Sequence, residues 1–352
     1  MKICIDGRFI TRHVGGQERH AIETVKELDK ICKKNQFELV VPKYAVIPFK
    51  LQNIEVVQVG NIKNGLLWEM TQFYKYLKRS KKYGLYLMNT WPLRRPDFPS
   101  LLDCVMFAYP NIYKTDIYSR VSCWLHQKMF ISAAKRCKLA FTISEFSKQE
   151  AVKYLKMDPN KIVVGGCGWN HYINIHPDYT VFEKLKINVS QDFYLSVSSR
   201  TPQKNFKWII GAAKNNPDTL FLVVGEEVKL GDFITKTPDN VRFLGRLTDS
   251  EVKALMEKCK VFIHPAIYEG FGITPLEAIS CGAKILVSNV ASLPEVYGNS
   301  ADYLDPSNFE VDIDSLIHEK KSELYQTVLE KYTWHNNAEI IYSSLLQYLE
   351  EK

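Results

Sequence analysis

The chain has 352 residues, more than one ordinary domain holds, so two domains are expected. Hydrophobic residues make up 46% and charged residues 24%, which is ordinary for a soluble globular protein, and no apolar run approaches the ~18–20 uncharged residues of a membrane-spanning helix. The net charge of +7 is compatible with an anionic partner, but over this length it is weak evidence for nucleic-acid binding.

The eight cysteines are scattered, and no two of them have Cys-x-x-Cys spacing. A zinc site is therefore not expected, and a chain of this length needs no disulfides to stabilise it. The amino-terminal segment meets charge too early for a secretory signal, and Ile3–Ile5 has the character of a first buried strand. We expect reduced thiols and a cytoplasmic protein.

Short β-rich runs alternate with helical stretches through the first half of the chain. The predicted strands are Ile3–Ile5, Phe37–Val41, Ile54–Val57, Leu85–Leu87, Cys104–Phe107, Leu139–Ile143 and Ile162–Val164. The predicted helices are Gly16–Ile31, Tyr118–Lys135 and Ser147–Leu155, the last with Ser147 and Glu150 as a capping box.

The densest basic run lies between the predicted strands Ile54–Val57 and Leu85–Leu87. It contains Lys75, Lys78, Arg79, Lys81 and Lys82, interleaved with Phe73, Tyr74, Tyr76 and Tyr83. Two interpretations stay open: a solvated helix end, or a contact with the inner face of a membrane through basic and aromatic groups.

The alternation restarts in the second half, after the glycine-rich segment 165–168 and a polar stretch up to Asp178 that marks the expected hinge. The predicted strands are Phe193–Val197, Leu220–Val224, Val241–Leu244, Val261–Ile263 and Ile285–Val287; the predicted helices are Phe206–Ala213, Asp249–Lys258, Leu293–Tyr297 and Asn336–Glu351. Capping boxes are predicted at Thr248 with Glu251 and at Ser292 with Glu295. Many of the strands are continuously apolar, which favours parallel sheets covered on both faces.

The most informative segment, Glu269-Gly-Phe-Gly-Ile-Thr-Pro-Leu-Glu277, lies between a predicted strand and a short helix. Free backbone N–H groups at such a junction suit a diphosphate, and a carboxylate on the helix can accept from two sugar hydroxyls. The alternative is a surface pair of glutamates flanking an ordinary tight turn.

His264–Ala278, with its continuation through Cys281-Gly282 to Ser292-Leu-Pro-Glu-Val296, resembles the donor-site signature of the family 4 glycosyltransferases. Supporting matches cover nearly the whole chain and lie at Ile143–Ser147, Phe193–Asn205, Asn240–Leu247 and Tyr332–Trp334. The resemblance implies the GT-B fold, an α/β architecture with two Rossmann-like domains facing a cleft. It places an acceptor-side domain over 1–168, a nucleotide-sugar donor domain over 169–334, and a helix over 335–352 that returns to the first domain.

By this resemblance, Glu277 holds the ribose of a nucleotide sugar and Glu269 lies near the transferred sugar. The backbone of Gly270, Phe271, Gly272, Ile273 and Thr274 faces the sugar and diphosphate, and His264 ends the strand near the nucleotide.

The family places an arginine and a lysine against the diphosphate. Lys204 fits the lysine position; the arginine position is occupied by Ser199, and Arg200 lies one place further on. Arg200 therefore either reaches the phosphate through a shifted loop or is a solvated loop charge. Gly15-Gly16 matches the family's glycine loop near the donor and acceptor phosphates, although a glycine pair also marks a plain turn.

One position departs from the family pattern. A His-Asp pair often follows the strand equivalent to Cys104–Phe107, whereas this chain has Ala108-Tyr109, and alanine cannot replace the histidine's hydrogen bond. Tyr109 or Asn111 could substitute for it. Arg94 in the Trp91–Arg95 segment is a further acceptor-side candidate, or part of a rigid proline loop.

The resulting expectation is a retaining hexosyltransferase that moves a sugar from a nucleotide diphosphate sugar to a hydroxyl of a glycan acceptor, either free or lipid-linked, in surface polysaccharide synthesis. No metal, cofactor or nucleic-acid partner is expected, and no Asp-x-Asp motif occurs in the sequence. The alternative is a non-catalytic relative that binds a sugar nucleotide or glycan and supports a partner enzyme. A nicotinamide-dependent enzyme is disfavoured because no Gly-x-Gly-x-x-Gly follows the first strand.

Overall fold

The computed structural model describes residues 2–113, 116–197, 202–225, 237–318 and 322–351. These residues form two compact units. The first contains the described residues up to Gly168 and those from Tyr332 onward, and the second contains those between Trp169 and Lys331. The two units divide after Gly168, and the chain returns to the first unit at Tyr332.

The first unit is built on parallel strands. They are β1 (Ile3–Asp6), β2 (Phe37–Val41), β3 (Glu55–Gln58), β4 (Tyr83–Tyr86), β5 (Phe98–Pro99), β6 (Ala140–Thr142) and β7 (Ile162–Val164). Five of them form a sheet in the order β3-β2-β1-β4-β5, and a parallel bridge between Ser100 and Phe141 joins the β6-β7 pair to its edge. β1 is buried along its whole length, because it pairs with β2 on one side and β4 on the other. This explains its continuously apolar start.

Helices cover both faces of this sheet and enclose two apolar cores. They are α1 (Gly16–Ile31), α2 (Gly65–Trp68), α3 (Tyr74–Ser80), α4 (Val105–Ala108), α5 (Ile117–Arg136) and α6 (Glu145–Leu155), with a π-helical segment over Glu69–Phe73 between α2 and α3. None of the helices in the described ranges is long and apolar enough to cross a bilayer.

Two predictions for the first unit are wrong. Cys104–Phe107 is not a strand: the Val105 N–H donates to Asp103 Oδ1 at 3.2 Å, which starts a helical turn, and α4 follows. Ser147 does not cap α6. Instead, Ser144 Oγ accepts from the Ser147 N–H at 3.0 Å, and the hydroxyl of Ser147 donates to the Leu102 carbonyl. Ser144, three positions upstream of Ser147, is therefore the N-cap residue of α6.

The second unit has a six-stranded parallel sheet. Its strands are β8 (Phe193–Val197), β9 (Leu220–Val224), β10 (Val241–Phe243), β11 (Val261–His264), β12 (Ile285–Ser288) and β13 (Asp302–Leu304). Its helices are α7 (Thr180–Lys184), α8 (Phe206–Asn215), α9 (Asp249–Lys258), α10 (Ile273–Ser280), α11 (Leu293–Tyr297), α12 (Ile313–Leu316) and α13 (Ser322–Lys331). The strand order is β10-β9-β8-β11-β12-β13, so the order reverses between β8 and β11.

The capping box predicted at Thr248 and Glu251 is present and begins α9. The one predicted at Ser292 and Glu295 is wrong: the Ser292 hydroxyl caps no helix and donates instead to the Glu269 carbonyl at 3.0 Å.

The last helix, α14 (Trp334–Glu350), belongs to the first unit. Its buried residues Ala338, Ile341 and Leu345 join the core beneath β1 and β2. Gly168 allows the chain to pass close to the start of this helix, since a Cβ there would lie 2.2 Å from the Trp334 nitrogen. The glycine-rich segment thus ends where two parts of the first unit pack backbone to backbone.

Candidate functional site

Three of the predicted site residues lie at or just beyond the carboxyl ends of two neighbouring strands. Lys204 follows β8, while His264 ends β11 and Glu269 follows it. β8 and β11 pair directly, and the strand order reverses between them. In open α/β sheets this reversal leaves a crevice beyond the strand ends where ligands bind. The topology therefore brings Lys204 and Glu269, which are 65 positions apart in the sequence, together at this crevice.

Glu269 is the centre of this cluster. Its Oε1 accepts from the Lys204 ammonium group and from His264 Nε2, the latter at 2.8 Å. Burial by itself would raise the pKa of Glu269, but the Lys204 charge and the His264 hydrogen bond outweigh it and lower the pKa to about 2. Glu269 is therefore a permanent carboxylate near neutral pH.

His264 is a neutral donor in this arrangement. Its side chain is 2% exposed, and burial lowers its pKa, with the nearby Lys204 charge acting in the same direction. Because a carboxylate only accepts hydrogen bonds, the imidazole proton must lie on Nε2, facing Glu269. His264 thus orients a carboxylate and has no proton to spare as an acid.

The loop after Glu269 needs its glycine. Gly272 has φ of +90°, in the left-handed region, and a Cβ there would lie 2.6 Å from Leu293 Cδ2. The Tyr297 hydroxyl donates to the Gly272 carbonyl, and Ser292 holds the Glu269 carbonyl. Ser292, just before α11, and Tyr297, its last residue, therefore hold both ends of this loop through its main-chain oxygens.

This attachment orients the amides that begin α10. In a trans peptide unit the C=O and the next N–H point in opposite directions, so the Ile273 N–H points away from Tyr297. Within the described part of the chain, the N–H groups of Ile273 and Thr274 have no hydrogen-bond acceptor. Pro275 contributes no N–H at all. Two adjacent main-chain donors are thus available at the positive end of a helix, as an anion requires.

Glu277 lies on the fifth position of α10 and contacts a residue that the sequence analysis did not assign. Its Oε1 lies 3.0 Å from His171 Nε2. The His171 side chain is 3% exposed and the Glu277 side chain 13%. Sequence reasoning missed His171 because 106 positions separate it from Glu277 and no local pattern joins them.

The predicted acceptor-side residues belong to the first unit. Gly15 precedes α1, and its N–H donates to Glu18 Oε2 at 3.2 Å. This N–H is therefore already hydrogen-bonded to a carboxylate of the chain itself. A Cβ on Gly16 would meet nothing within 4 Å. The exposed Tyr109 follows α4, Asn111 lies on the short helical turn Pro110–Tyr113, and Arg94 is exposed after β4.

Some expectations have no structural counterpart here. Ser199 and Arg200 lie outside the described residues. Among the residues that the structure does describe, no three His, Cys, Asp or Glu side chains are grouped as metal ligands. The roles that the sequence analysis gives to the candidate site residues, Ser199 and Arg200 included, stay predictions.

Comparison with known proteins matches the second unit to a family. Residues 179–327, which contain Lys204, His264, Glu269 and Glu277, match the model of the family described as glycosyl transferases group 1. The serotype-specific mannosyltransferase WbdA of Escherichia coli is 28% identical over 249 residues, 62% of this chain and 30% of WbdA. The O-antigen chain mannosyltransferase RfbU of Salmonella typhimurium is 27% identical over 255 residues, 69% of this chain and 67% of RfbU.

Solved structures match over almost the entire chain. Sucrose-phosphate synthase from Thermosynechococcus elongatus gives a TM-score of 0.71 at 13% identity and covers 99% of both chains. Anabaena HepE in complex with UDP-glucose gives 0.69 at 16% identity and covers 99% of this chain and all of HepE (100%). The fold is GT-B. The GT-B assignment confirms the predicted fold class, and the chain is homologous to mannosyltransferases that match it over less than a third (WbdA) to two thirds (RfbU) of their length.

Proposed function

We propose that this GT-B protein transfers a hexose from a nucleotide diphosphate sugar to a hydroxyl of a glycan acceptor in surface polysaccharide synthesis. The observation that carries the proposal is the loop Glu269–Thr274, followed on α10 by Glu277, with the amides of Ile273 and Thr274 that have no acceptor among the described residues. The mannosyltransferase names of the homologous proteins make nucleotide-linked mannose the first donor to test.

In this proposal the donor diphosphate lies against the start of α10, beside Lys204. The nucleoside diphosphate gains negative charge as the glycosidic bond breaks, so fixed N–H dipoles and a cation stabilise the transition state more than the bound donor. The dipoles belong to backbone held by Tyr297, and they need no reorganisation when the charge develops. Lys204 forms an ion pair with Glu269. Its charge is therefore already in place, and its side chain need not rearrange when a donor binds.

Glu269 acts on the transferred sugar as a fixed charge. Its low pKa and its contact with Lys204 rule out proton donation near neutrality, whereas its carboxylate can accept sugar hydroxyls or face positive charge on the sugar ring. Retention of anomeric configuration without an obligatory metal follows from the family 4 resemblance. Nuclear magnetic resonance of the product anomer, from reactions with and without a chelator, tests both points.

Glu277 accepts the ribose hydroxyls in this arrangement, and Glu277→Ala tests the site. Hydrogen bonds to a charged group contribute about 1.5–3 kcal/mol, so nucleoside diphosphate binding should weaken about 10- to 150-fold. Glu310→Ala, at an exposed carboxylate of the same unit, should bind as the wild type does. Unchanged affinity in Glu277→Ala, measured by calorimetry, would remove this role.

We further propose a lipid-linked acceptor and contact with an anionic membrane surface through α5. Ile117, Tyr118, Val121 and Trp124 are 57–82% exposed there, and Lys128 stacks over the Trp124 ring at 5.7 Å. Exposed apolar groups beside basic ones suit a lipid interface. The basic run around α3 is less available, because Tyr76 and Lys82 both bind Glu38. The Trp124→Ser variant should no longer sediment with anionic vesicles, whereas Val46→Ser, at another exposed apolar site of the first unit, should sediment as the wild type does.

The second candidate, a non-catalytic sugar-nucleotide-binding relative, is favoured by one observation. Ala108 ends α4 with no side chain able to hydrogen-bond to a sugar, at the position where the family often has histidine. Incubation of the purified protein with donor and glycan acceptors separates the candidates: sugar transfer or donor hydrolysis supports the enzyme, and tight donor binding without turnover supports the binding protein.

A further inference from the structure

A buried imidazole lies against the carboxylate that the proposed function gives to the ribose. His171 Nε2 and Glu277 Oε1 are 3.0 Å apart, and the ring also packs edge-on against Tyr172, with centroids 5.1 Å apart. His171 lies outside residues 179–327, the segment that matches the glycosyltransferase family model. The contact therefore joins the segment that begins the second unit, outside the matched residues, to a glutamate inside them.

The chemistry of this pair fixes the direction of the hydrogen bond. An ionised carboxylate only accepts, so His171 must carry a proton on Nε2 and donate it to Oε1. The second oxygen, Oε2, has no hydrogen bond to any other residue that the structure describes. One oxygen of Glu277 is thus committed to the protein, and the other keeps its lone pairs for a ligand.

The segment on both sides of His171 is hydrogen-bonded to two helices, α13 and α9. The Trp169 indole N–H donates to the Leu329 carbonyl of α13 at 2.9 Å. The Lys253 ammonium group, from α9, donates to the carbonyls of Tyr172 at 3.0 Å and Ile175 at 2.8 Å. A short turn held at two of its carbonyls and at the Trp169 indole can place a ring with little freedom, which is the condition for orienting a neighbouring functional group.

We propose that His171 is a positioning residue for nucleoside recognition: it fixes the Glu277 carboxylate so that Oε2 faces the ribose diol. The inference rests on the proposed function, since it needs Glu277 to bind a ribose. It predicts that His171 acts on the discrimination between ribose and deoxyribose ligands, and not on nucleotide binding in general. Without the imidazole, the carboxylate rotates and loses directed acceptance of the two hydroxyls.

The test compares dissociation constants of a nucleoside diphosphate and its 2′,3′-dideoxy analogue for four proteins: the wild type, His171→Leu, His171→Gln and His176→Ala. The base used is the one that raises the wild-type melting temperature most. His171→Leu should lower the ribose preference about tenfold, as expected for a lost hydrogen bond to a charged group. His171→Gln retains an N–H donor and should restore most of the preference. His176, exposed in the same connection, is the matched control and should behave as wild type.

Each outcome decides between the inferences. If His171→Leu weakens both ligands equally and keeps the wild-type preference, the role is structural and the positioning inference is wrong. If the wild type itself shows no preference for ribose, the proposed role of Glu277 fails first. Should His171→Leu not fold by circular dichroism, His171→Met takes its place as a flexible apolar substitute, and an unaltered preference there overturns the inference in the same way.

Discussion

Two buried glutamates in this chain have opposite pKa shifts, and the difference lies in their neighbours. Glu269 has a cation and a neutral imidazole donor on one oxygen, so its pKa falls to about 2 although it is buried. Glu69 has Arg8 at 2.8 Å and the Thr90 hydroxyl at 2.8 Å, but the Asp6 carboxylate is also close. Burial and then Asp6 raise the pKa of Glu69 to about 8.

Glu69 is therefore a carboxylic acid at neutral pH. Its Oε1 receives no hydrogen bond from any described residue, so the proton belongs on that atom, from which it can be donated to Asp6. A buried acid with a raised pKa stabilises the fold most below its ordinary pKa of 4.5, and this contribution is lost as the pH rises towards 8. The cluster joins β1, the π-helical segment and the chain after β4.

We predict that Glu69→Gln reproduces the protonated acid at every pH, since its amide can donate to Asp6 while its oxygen accepts from Arg8 and Thr90. The variant should unfold in urea above the wild-type midpoint at pH 6, where part of the wild-type contribution is already lost, and further above it at pH 9. Glu55→Gln, which removes an exposed carboxylate from β3, is the control and should shift the midpoint equally at both pH values. Equal destabilisation by Glu69→Gln at pH 6 and pH 9 would contradict the assigned proton.

At the scale of elements, the site depends on a short helix that contains none of the predicted donor-binding residues. α11 supplies Tyr297, whose hydroxyl holds the Gly272 carbonyl, and Ser292 just before it holds the Glu269 carbonyl. These bonds fix the loop whose following amides face the proposed diphosphate. The helix is thus a support for the α10 amides rather than a source of ligand contacts.

We predict that Tyr297→Phe weakens nucleoside diphosphate binding about 2- to 13-fold with little change in fold, because one neutral hydrogen bond contributes about 0.5–1.5 kcal/mol. The matched control is Tyr303→Phe, which removes a similar bond from a tyrosine hydroxyl to the Gly298 carbonyl at 2.6 Å, away from the loop. Calorimetry on both variants gives the comparison. Equal binding by the two variants would mean that the loop holds its shape without Tyr297.

The secondary-structure elements also show how much of this structure can be predicted from the sequence. Strands buried at four of their five residues, such as β8 and β9, and the helix α9 with its capping box, are confirmed at their predicted bounds because short-range pattern determines them. The contacts that Ser292 and His171 make with the site were not predictable from the sequence. Ser292 has the spacing of a helix cap, yet its hydroxyl serves a carbonyl 23 positions away, and His171 meets Glu277 only through the fold. The charged residues of the site and His264 were visible in the sequence, whereas Ser292, Tyr297 and His171, which hold the loop and Glu277, were not.

At the scale of the whole molecule, the chain leaves the first unit, forms the second, and returns. The returning helix α14 is part of the first unit's core: Leu345 is fully buried there, packed in the cluster that contains Ile3, Ile5 and Leu39. The Thr24 hydroxyl also donates to Asn337 at 2.8 Å, across 313 positions of sequence. The first unit therefore cannot complete its core until the end of the chain is present.

This dependence gives a prediction that separates the two units. Leu345→Ala should cost about 2–5 kcal/mol through the lost contacts and the cavity, and the loss should fall on the first unit. Hydrogen exchange followed by mass spectrometry should show faster exchange in peptides of β1 and β2, with β8 and β11 unchanged. Ile340→Ala, on the same helix but 37% exposed, should cost less than about 1 kcal/mol. If β8 and β11 exchanged faster to the same degree as β1 and β2, the two units would unfold as one, and α14 would stabilise both.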